Sequence, residues 1–291
     1  MMRPRRVHLP PPVSYQGGKR RQAPEIVRHM ALDSETPFVE LCCGSGAVSL
    51  ELISRGHNPA KITMVDAGPW GDVWRLVGAG EFDLRTLEEV GAALLKMGKH
   101  SPAIPDTLAE MARLFPPTHR HGPYAFLFLQ SGVFGRKAVG VRDGLWTRCN
   151  FSAPGDLKHP PLIPEPEVIV RRMQRICRRL DGVCGLRADV RSIGVAAGSA
   201  VYLDPPYAGT TGYGHDVEAV ALAVGWAPSP VYVSERVALS STARLLRERV
   251  ASGLSGASSA ISAEYLSLFN ADWPTPDYER ATQAELFAEA A

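Results

Sequence analysis

The sequence predicts an open α/β fold, and three stretches carry that expectation. The apolar run FVELC (38–42) turns at Cys43-Gly44-Ser45-Gly46 into a helical pattern, AVSLELISRG, that closes at Gly56. KITMVD (61–66) is then a second short apolar strand, and strand, glycine turn, helix and strand at this spacing form a βαβ unit. Such a unit demands parallel strands and a right-handed crossover. The rhythm resumes late in the chain, with AVYLD ending at Asp204, a helix near 216–224 and the strand PVYVSE at 230–235.

The remaining elements follow in order. Residues 1–14 are rich in Arg and Pro and are expected to be extended; a glycine loop, Tyr15-Gln16-Gly17-Gly18-Lys19, precedes a helix near 22–31. Between Gly68 and Pro166 the βαβ rhythm breaks. Helical patterns near 84–97 and 105–114 lead to the aromatic run YAFLFLQSGVFGRK and a loop-rich, Pro-rich stretch, so this segment reads as an inserted subdomain. Helix is expected again over 167–180 and over 239–250. The Ser/Gly stretch ASGLSGASSA reads as a surface loop, and SAEYLSLFN as a last strand. The expected division is a core of 1–67 with 167–291, and an insertion of 68–166.

Composition narrows the function. The chain has 291 residues, 45% hydrophobic and 21% charged, enough to bury a core without staples. A net charge of +2 argues against a coat protein for nucleic acid, so any affinity for DNA must come from local patches. The five cysteines, at 42, 43, 149, 177 and 184, show neither CxxC pairing nor a His at zinc spacing. They read as small buried thiols of a reduced protein, with no disulfide framework and no metal site. No apolar stretch is long enough to span a membrane, and MMRPRRVHLPPP lacks the apolar segment of a signal peptide. The expected location is the cytoplasm, and the expected state is a monomer, with a dimer left open.

The strongest chemical signal is Asp204-Pro205-Pro206-Tyr207 at the carboxyl end of a buried strand, where open α/β sheets bind ligands. Two prolines fix φ at consecutive positions and make a stiff elbow. An aromatic amine is a poor nucleophile because its lone pair is delocalised. The Asp204 carboxylate and the Pro205 carbonyl can each accept one of its N–H groups and draw the nitrogen toward tetrahedral geometry. Tyr207 can stack on an extruded base. The plainer alternative is a strand-ending Asp with a core Tyr.

Glu40 through Gly46 is a glycine turn opening a helix, generic in itself, with neither GK[ST] nor a third glycine, since Ser49 stands in that place. Asp66, closing the next strand, either holds ribose hydroxyls of an adenosine-bearing cofactor or caps the following helix. Lys19 either meets an anionic ligand or is a solvated loop lysine. Arg171, Arg175 and Arg178, with Arg172 and Arg179 adjoining, form a helix face suited to phosphates or simply to water. Phe126, Phe128 and Phe134 read as the core of the insertion.

Taken in order, YxGGK, ExxCGSG and DPPY resemble the Dam-type (D12 class) N6-adenine DNA methyltransferases. Phe128-Leu129-Gln130, Phe134-Gly135-Arg136-Lys137, Trp146-Thr147-Arg148 and Asn150 to Gly155 are similar to that family's aromatic stretch, although Gly135-Arg136-Lys137 replaces an Asn-Gly pair. The resemblance spans residues 13 to 270. It implies a class I S-adenosylmethionine-dependent methyltransferase fold, a Rossmann-like mixed seven-stranded sheet with an inserted target-recognition subdomain. It implies S-adenosylmethionine as cofactor and double-stranded DNA as partner. Carried over, Tyr15, Lys19, Glu40, Gly44, Gly46, Asp66, Asp189 and Asp204 border the cofactor, and Asp204, Pro205 and Tyr207 carry catalysis. Read from the residues themselves, Arg136 and Lys137, in an aromatic-flanked loop of the insertion, are candidate DNA contacts, with Arg148 a further one, and Thr210-Thr211-Gly212-Tyr213 is similar to the family's target-side loop. The alternatives are methylation of another planar amine (cytosine N4, an RNA base or a protein glutamine) or an inactive DNA-binding relative.

Overall fold

The computed structural model describes residues 8–14, 17–98, 101–134, 137–151, 162–206, 218–251 and 260–274, with backbone alone at 249–251 and 260–262. The first βαβ unit is β1 (Phe38–Leu41), α2 (Ala47–Ser54) and β2 (Ile62–Asp66), preceded by α1 (Ala23–Met30). Gly56, at φ 99°, ends the α2 segment in the left-handed region that glycine tolerates best. The helices α3 (Pro69–Gly78), α4 (Leu84–Leu95), α5 (Ile104–Leu114) and α6 (Gly122–Gly132) follow, then β3 (Gly140–Arg142) and β4 (Leu145–Thr147). The chain continues through α7 (Pro166–Cys177), β5 (Cys184–Arg187), β6 (Ala200–Leu203), α8 (Ala219–Gly225), β7 (Val231–Glu235), β8 (Arg244–Ala251) and β9 (Ala260–Phe269).

Seven strands form one sheet in the order β5-β2-β1-β6-β7-β9-β8. β2 pairs with β5 and β6 with β7 in parallel, whereas β9 runs antiparallel to both β7 and β8. The chain divides into two compact units, one of Met1–Arg20 with Glu40–Ile193 and one of Arg21–Val39 with Gly194–Ala291. Among the described residues no helix is long and apolar enough to cross a membrane.

In the first unit α3 lies directly on β2 and β5, and three glycines make that approach feasible. A Cβ on Gly71 would strike the Asp66 carbonyl and come 2.6 Å from the Arg187 Cα. On Gly78 it would strike the Val183 carbonyl, and on Gly185 the Trp74 backbone. The other side of α3 is aromatic. Trp70 stacks with Trp74 at 5.9 Å between centroids and meets the Phe126 ring edge-on at 5.0 Å, and Phe126 stacks with Trp146 at 6.0 Å. Phe126 and Phe128 are fully buried on α6, as the sequence suggested for the core of this region, and Phe134 is half-buried.

Three expectations need correction. The helix expected over 239–250 is the strand β8, whose residues pair with β9 from Arg244 to Ala251. Its Leu, Arg and Glu residues favour helix in isolation, but ladder hydrogen bonding to β9 and burial of Leu246 decide otherwise. Part of the loop-rich stretch is the β3–β4 hairpin, closed at Asp143-Gly144 with φ of 51° and 73°, as a tight two-residue turn requires. The aromatic run, for which the sequence predicted no element, supplies most of helix α6. Of the five cysteines, all free, only Cys43 is buried; Cys42, Cys149 and Cys177 are half-buried and Cys184 is exposed.

The glycine seam makes a stability prediction. Gly78→Ala is expected to cost about 1–3 kcal/mol, because overpacking against backbone cannot be relieved by a rotamer change. Gly225→Ala, where an added Cβ meets nothing within 4 Å, is the control and should stay within about 0.5 kcal/mol. Urea unfolding followed by circular dichroism measures both.

Candidate active site

The carboxyl ends of β1, β2 and β5, neighbours in the first unit, gather the glycine loop, Asp66 and Asp189. Asp66 closes β2, and its two carboxylate oxygens accept different backbone donors. Oδ2 accepts the Gly44 N–H at 2.9 Å and Oδ1 the Gly68 N–H at 2.7 Å. One side chain therefore fixes both the loop after β1 and the turn after β2. Desolvation pushes the Asp66 carboxyl above the ordinary aspartate range, against the opposing pull of those two N–H groups and of Arg187. Arg187, across the β2–β5 ladder, is itself paired with Asp72 at 2.7 Å.

The loop is held from three further directions. The Cys43 N–H donates to the Val65 carbonyl at 2.9 Å, the Gly46 N–H to the Cys43 carbonyl at 2.8 Å, and the Trp74 indole to the Gly44 carbonyl at 2.7 Å. Gly44 and Gly46 sit at φ 49° and 67°, and a Cβ on Gly46 would collide with Met64 and press on the Trp74 ring. At Gly46 glycine is thus demanded by internal packing. Burial, and then the charges of Asp66 and Glu40, push the Cys43 thiol well above its usual range, so this cysteine is no nucleophile.

Glu40 is buried on β1 and turns its carboxylate under the first turn of α2. It accepts the Ser49 N–H at 2.8 Å and the Val48 N–H at 3.4 Å. Those donors have no intrahelical partner at a helix start, and a negative charge there is favoured by the helix dipole. Asp189 follows β5. It caps a short 3-10 turn by accepting the Arg191 N–H at 2.9 Å, and it pairs with the Arg191 guanidinium. Lys19 is buried rather than solvated, and its ammonium donates to the Gly17 carbonyl at 3.3 Å.

In the second unit the four residues of β6 are fully buried, and the Tyr202 hydroxyl shares a 2.8 Å hydrogen bond with Ser234 of β7. Asp204 follows β6, half-buried, with Pro205 buried behind it. Tyr15, Arg136, Tyr207 and Tyr213 lie outside the described residues.

Lys137 and Arg148 are exposed around the β3–β4 hairpin, as are Arg142 and Leu145. Gln130, buried on α6, secures the approach to this hairpin. Its amide donates to the Lys137 carbonyl and accepts the Val139 N–H, both at 2.9 Å. Gly140 leaves room for the Arg148 guanidinium against the strand. Arg171 and Arg175 on α7, and Arg178 and Arg179 just past its end, are exposed, but Arg172 turns inward. Sequence reasoning missed Trp74, Gln130 and the inward role of Arg172. The first had a visible signal, a Trp-rich segment directly after Asp66.

The mixed seven-stranded sheet with its flanking helices is that of the class I methyltransferases. Within that class, residues 15–66 match the family of D12 class N6 adenine-specific DNA methyltransferases. The match covers both glycine loops and ends on Asp66. It supports the resemblance seen in the motifs, and with it DNA adenine methylation as the general activity. Enzymes of that family generally depend on S-adenosylmethionine. No curated protein matches the chain.

The role of Glu40 can be tested by stability. Glu40→Ala strands two N–H groups in a buried helix start and is expected to cost about 1–3 kcal/mol, with Glu40→Gln, which keeps one acceptor, losing less. Chemical denaturation of the three proteins decides it.

Proposed function

We propose that the protein methylates N6 of an adenine flipped out of double-stranded DNA, with S-adenosylmethionine as the methyl donor. The observation that carries this reading is the Asp204-Pro205 elbow at the end of the buried strand β6, in a chain whose residues 15–66 match adenine-specific DNA methyltransferases. The Asp204 carboxylate and the Pro205 carbonyl would accept the two N–H groups of the target amine, and Tyr207 would stack on the base. Held this way, the nitrogen lone pair is localised and aimed, so most of the rate gain comes from positioning.

The donor set of the first unit fits an adenosine-bearing cofactor. Asp66 keeps acceptor capacity for ribose hydroxyls, because a carboxylate has about four acceptor sites and two are taken by Gly44 and Gly68. Asp189 would stand at the adenine, and Tyr15, Lys19, Glu40, Gly44 and Gly46 would shape or support the cofactor pocket. S-adenosylmethionine supplies, when bound, a methyl group on a sulfonium that leaves readily. We further propose that the 68–166 segment holds the target-recognition region, with Lys137 and Arg148 near the hairpin, and Arg136, on the DNA. Tyr213, further along the sequence, would meet DNA as well.

Asp204→Ala is expected to bind S-adenosylmethionine normally yet lose at least about a hundredfold in methyl transfer to plasmid DNA, read with a tritiated methyl group. Near-normal turnover would sink the mechanism. Nucleoside mass spectrometry of the modified DNA should give N6-methyladenine; N4-methylcytosine or unmodified DNA would overturn the substrate.

Asp66 sets a pH dependence. Its carboxyl is raised, so the protein takes up this proton at a higher pH than an exposed aspartate, which titrates near about 3.9. If ribose hydroxyls bind the ionised form, affinity is full above the raised value and declines as pH falls through it. Calorimetric titrations across that range should show the decline in the wild type and a flat, weaker profile in Asp66→Asn.

A further inference from the structure

We infer that Arg172 is a positioning residue for the cofactor loop Gly17–Lys19, acting through the proline strap that precedes it, and is not a phosphate contact. The inference rests on the proposed placement of Tyr15 and Lys19 at the cofactor.

Residues 9–13, Leu-Pro-Pro-Pro-Val, are all buried in the first unit. Three consecutive prolines have no N–H, so this segment cannot enter a sheet ladder, and its carbonyls must find donors elsewhere. Arg172 supplies them. One guanidinium nitrogen donates to the Pro11 carbonyl at 3.0 Å and to the Pro12 carbonyl at 3.2 Å. At its other end the strap is pinned to α2, where the Leu9 N–H donates to the Ser54 hydroxyl at 3.1 Å, and that hydroxyl donates to the Leu50 carbonyl at 2.7 Å. The strap is therefore fixed to the helix that opens from the Gly44–Gly46 loop and to α7, and runs on within a few residues to Gly17 and the buried Lys19.

Arg172 differs from its neighbours on α7 and just past its end. Arg171, Arg175, Arg178 and Arg179 are exposed; Arg172 is half-buried. Holding a guanidinium there, near the charges of Arg20 and Arg171, is unfavourable without acceptors. The two proline carbonyls supply that compensation.

The full-length protein is compared with Arg172→Ala, Arg172→Lys and Arg175→Ala. Calorimetry measures S-adenosylmethionine affinity, and DNA binding is followed against salt concentration. Arg172→Ala is expected to weaken S-adenosylmethionine roughly tenfold, the loss of hydrogen bonds from a charged donor, with Arg172→Lys in between. Its DNA salt slope should match the wild type, whereas Arg175→Ala, which removes a guanidinium free to meet a phosphate, lowers the slope by about one. Hydrogen exchange should show faster exchange at Val13, Ser14 and Gly17 to Lys19 in Arg172→Ala, a readout independent of turnover. If Arg172→Ala fails to fold, Arg172→Lys carries the same comparison. S-adenosylmethionine binding unchanged in both Arg172 variants, or a slope lowered by Arg172→Ala, overturns the inference alone. A wild type that binds no S-adenosylmethionine overturns the proposed function beneath it.

Discussion

The Asp66 carboxylate, bridging the Gly44 and Gly68 amides, is the contact on which the first unit's strand ends depend. Two loops that leave adjacent strands have no reason to share a geometry unless something ties them. A side chain with two oxygens at the end of one strand is the shortest available tie. Its cost is desolvation, visible in the raised carboxyl, and two N–H donors with Arg187 nearby offset part of it. An asparagine would keep one acceptor and place a donor where an amide already points. Fixing the two loops also fixes the orientation of the carboxylate itself.

Around that tie the packing leaves little freedom. Trp74 holds the Gly44 carbonyl from below, and Gly46 admits no side chain because Met64 and Trp74 fill the space. Trp74 in turn is set by α3, which reaches β5 only because Gly71, Gly78 and Gly185 are bare. The aromatic stack continues through Trp70 and Phe126 to Trp146 on β4. The hairpin carrying exposed basic residues and the loop after β1 thus share one continuous core.

How much of this could be read in advance varied with the physics. β1, β2, β6, β7 and β9 are apolar runs bounded by turn residues, and the pattern found them. β5 escaped because Cys184 and Arg187 face water and Gly185 weakens any strand pattern; it is a strand because β2 and α3 make it one. β8 carries residues that favour helix, and only its partner β9 reveals it. The hairpin had a signal in Asp143-Gly144, hidden by its loop-rich surroundings. Among the candidate site residues, Asp66 could be placed at the end of an apolar strand, whereas Asp189 rested on the family resemblance alone. The cap formed by Glu40 and the buried state of Lys19 depend on contacts between distant segments, which spacing alone does not encode.

The arginines of α7 show the same limit most sharply. In sequence they form one basic face, and a net charge of only +2 makes any such face a natural candidate for DNA. Four of them keep that option. The fifth is turned inward because a run of prolines elsewhere presents carbonyls without amides, and a buried acceptor without a donor is costly. Composition brought the prolines and the arginines into the same chain; only the fold shows that one answers the other.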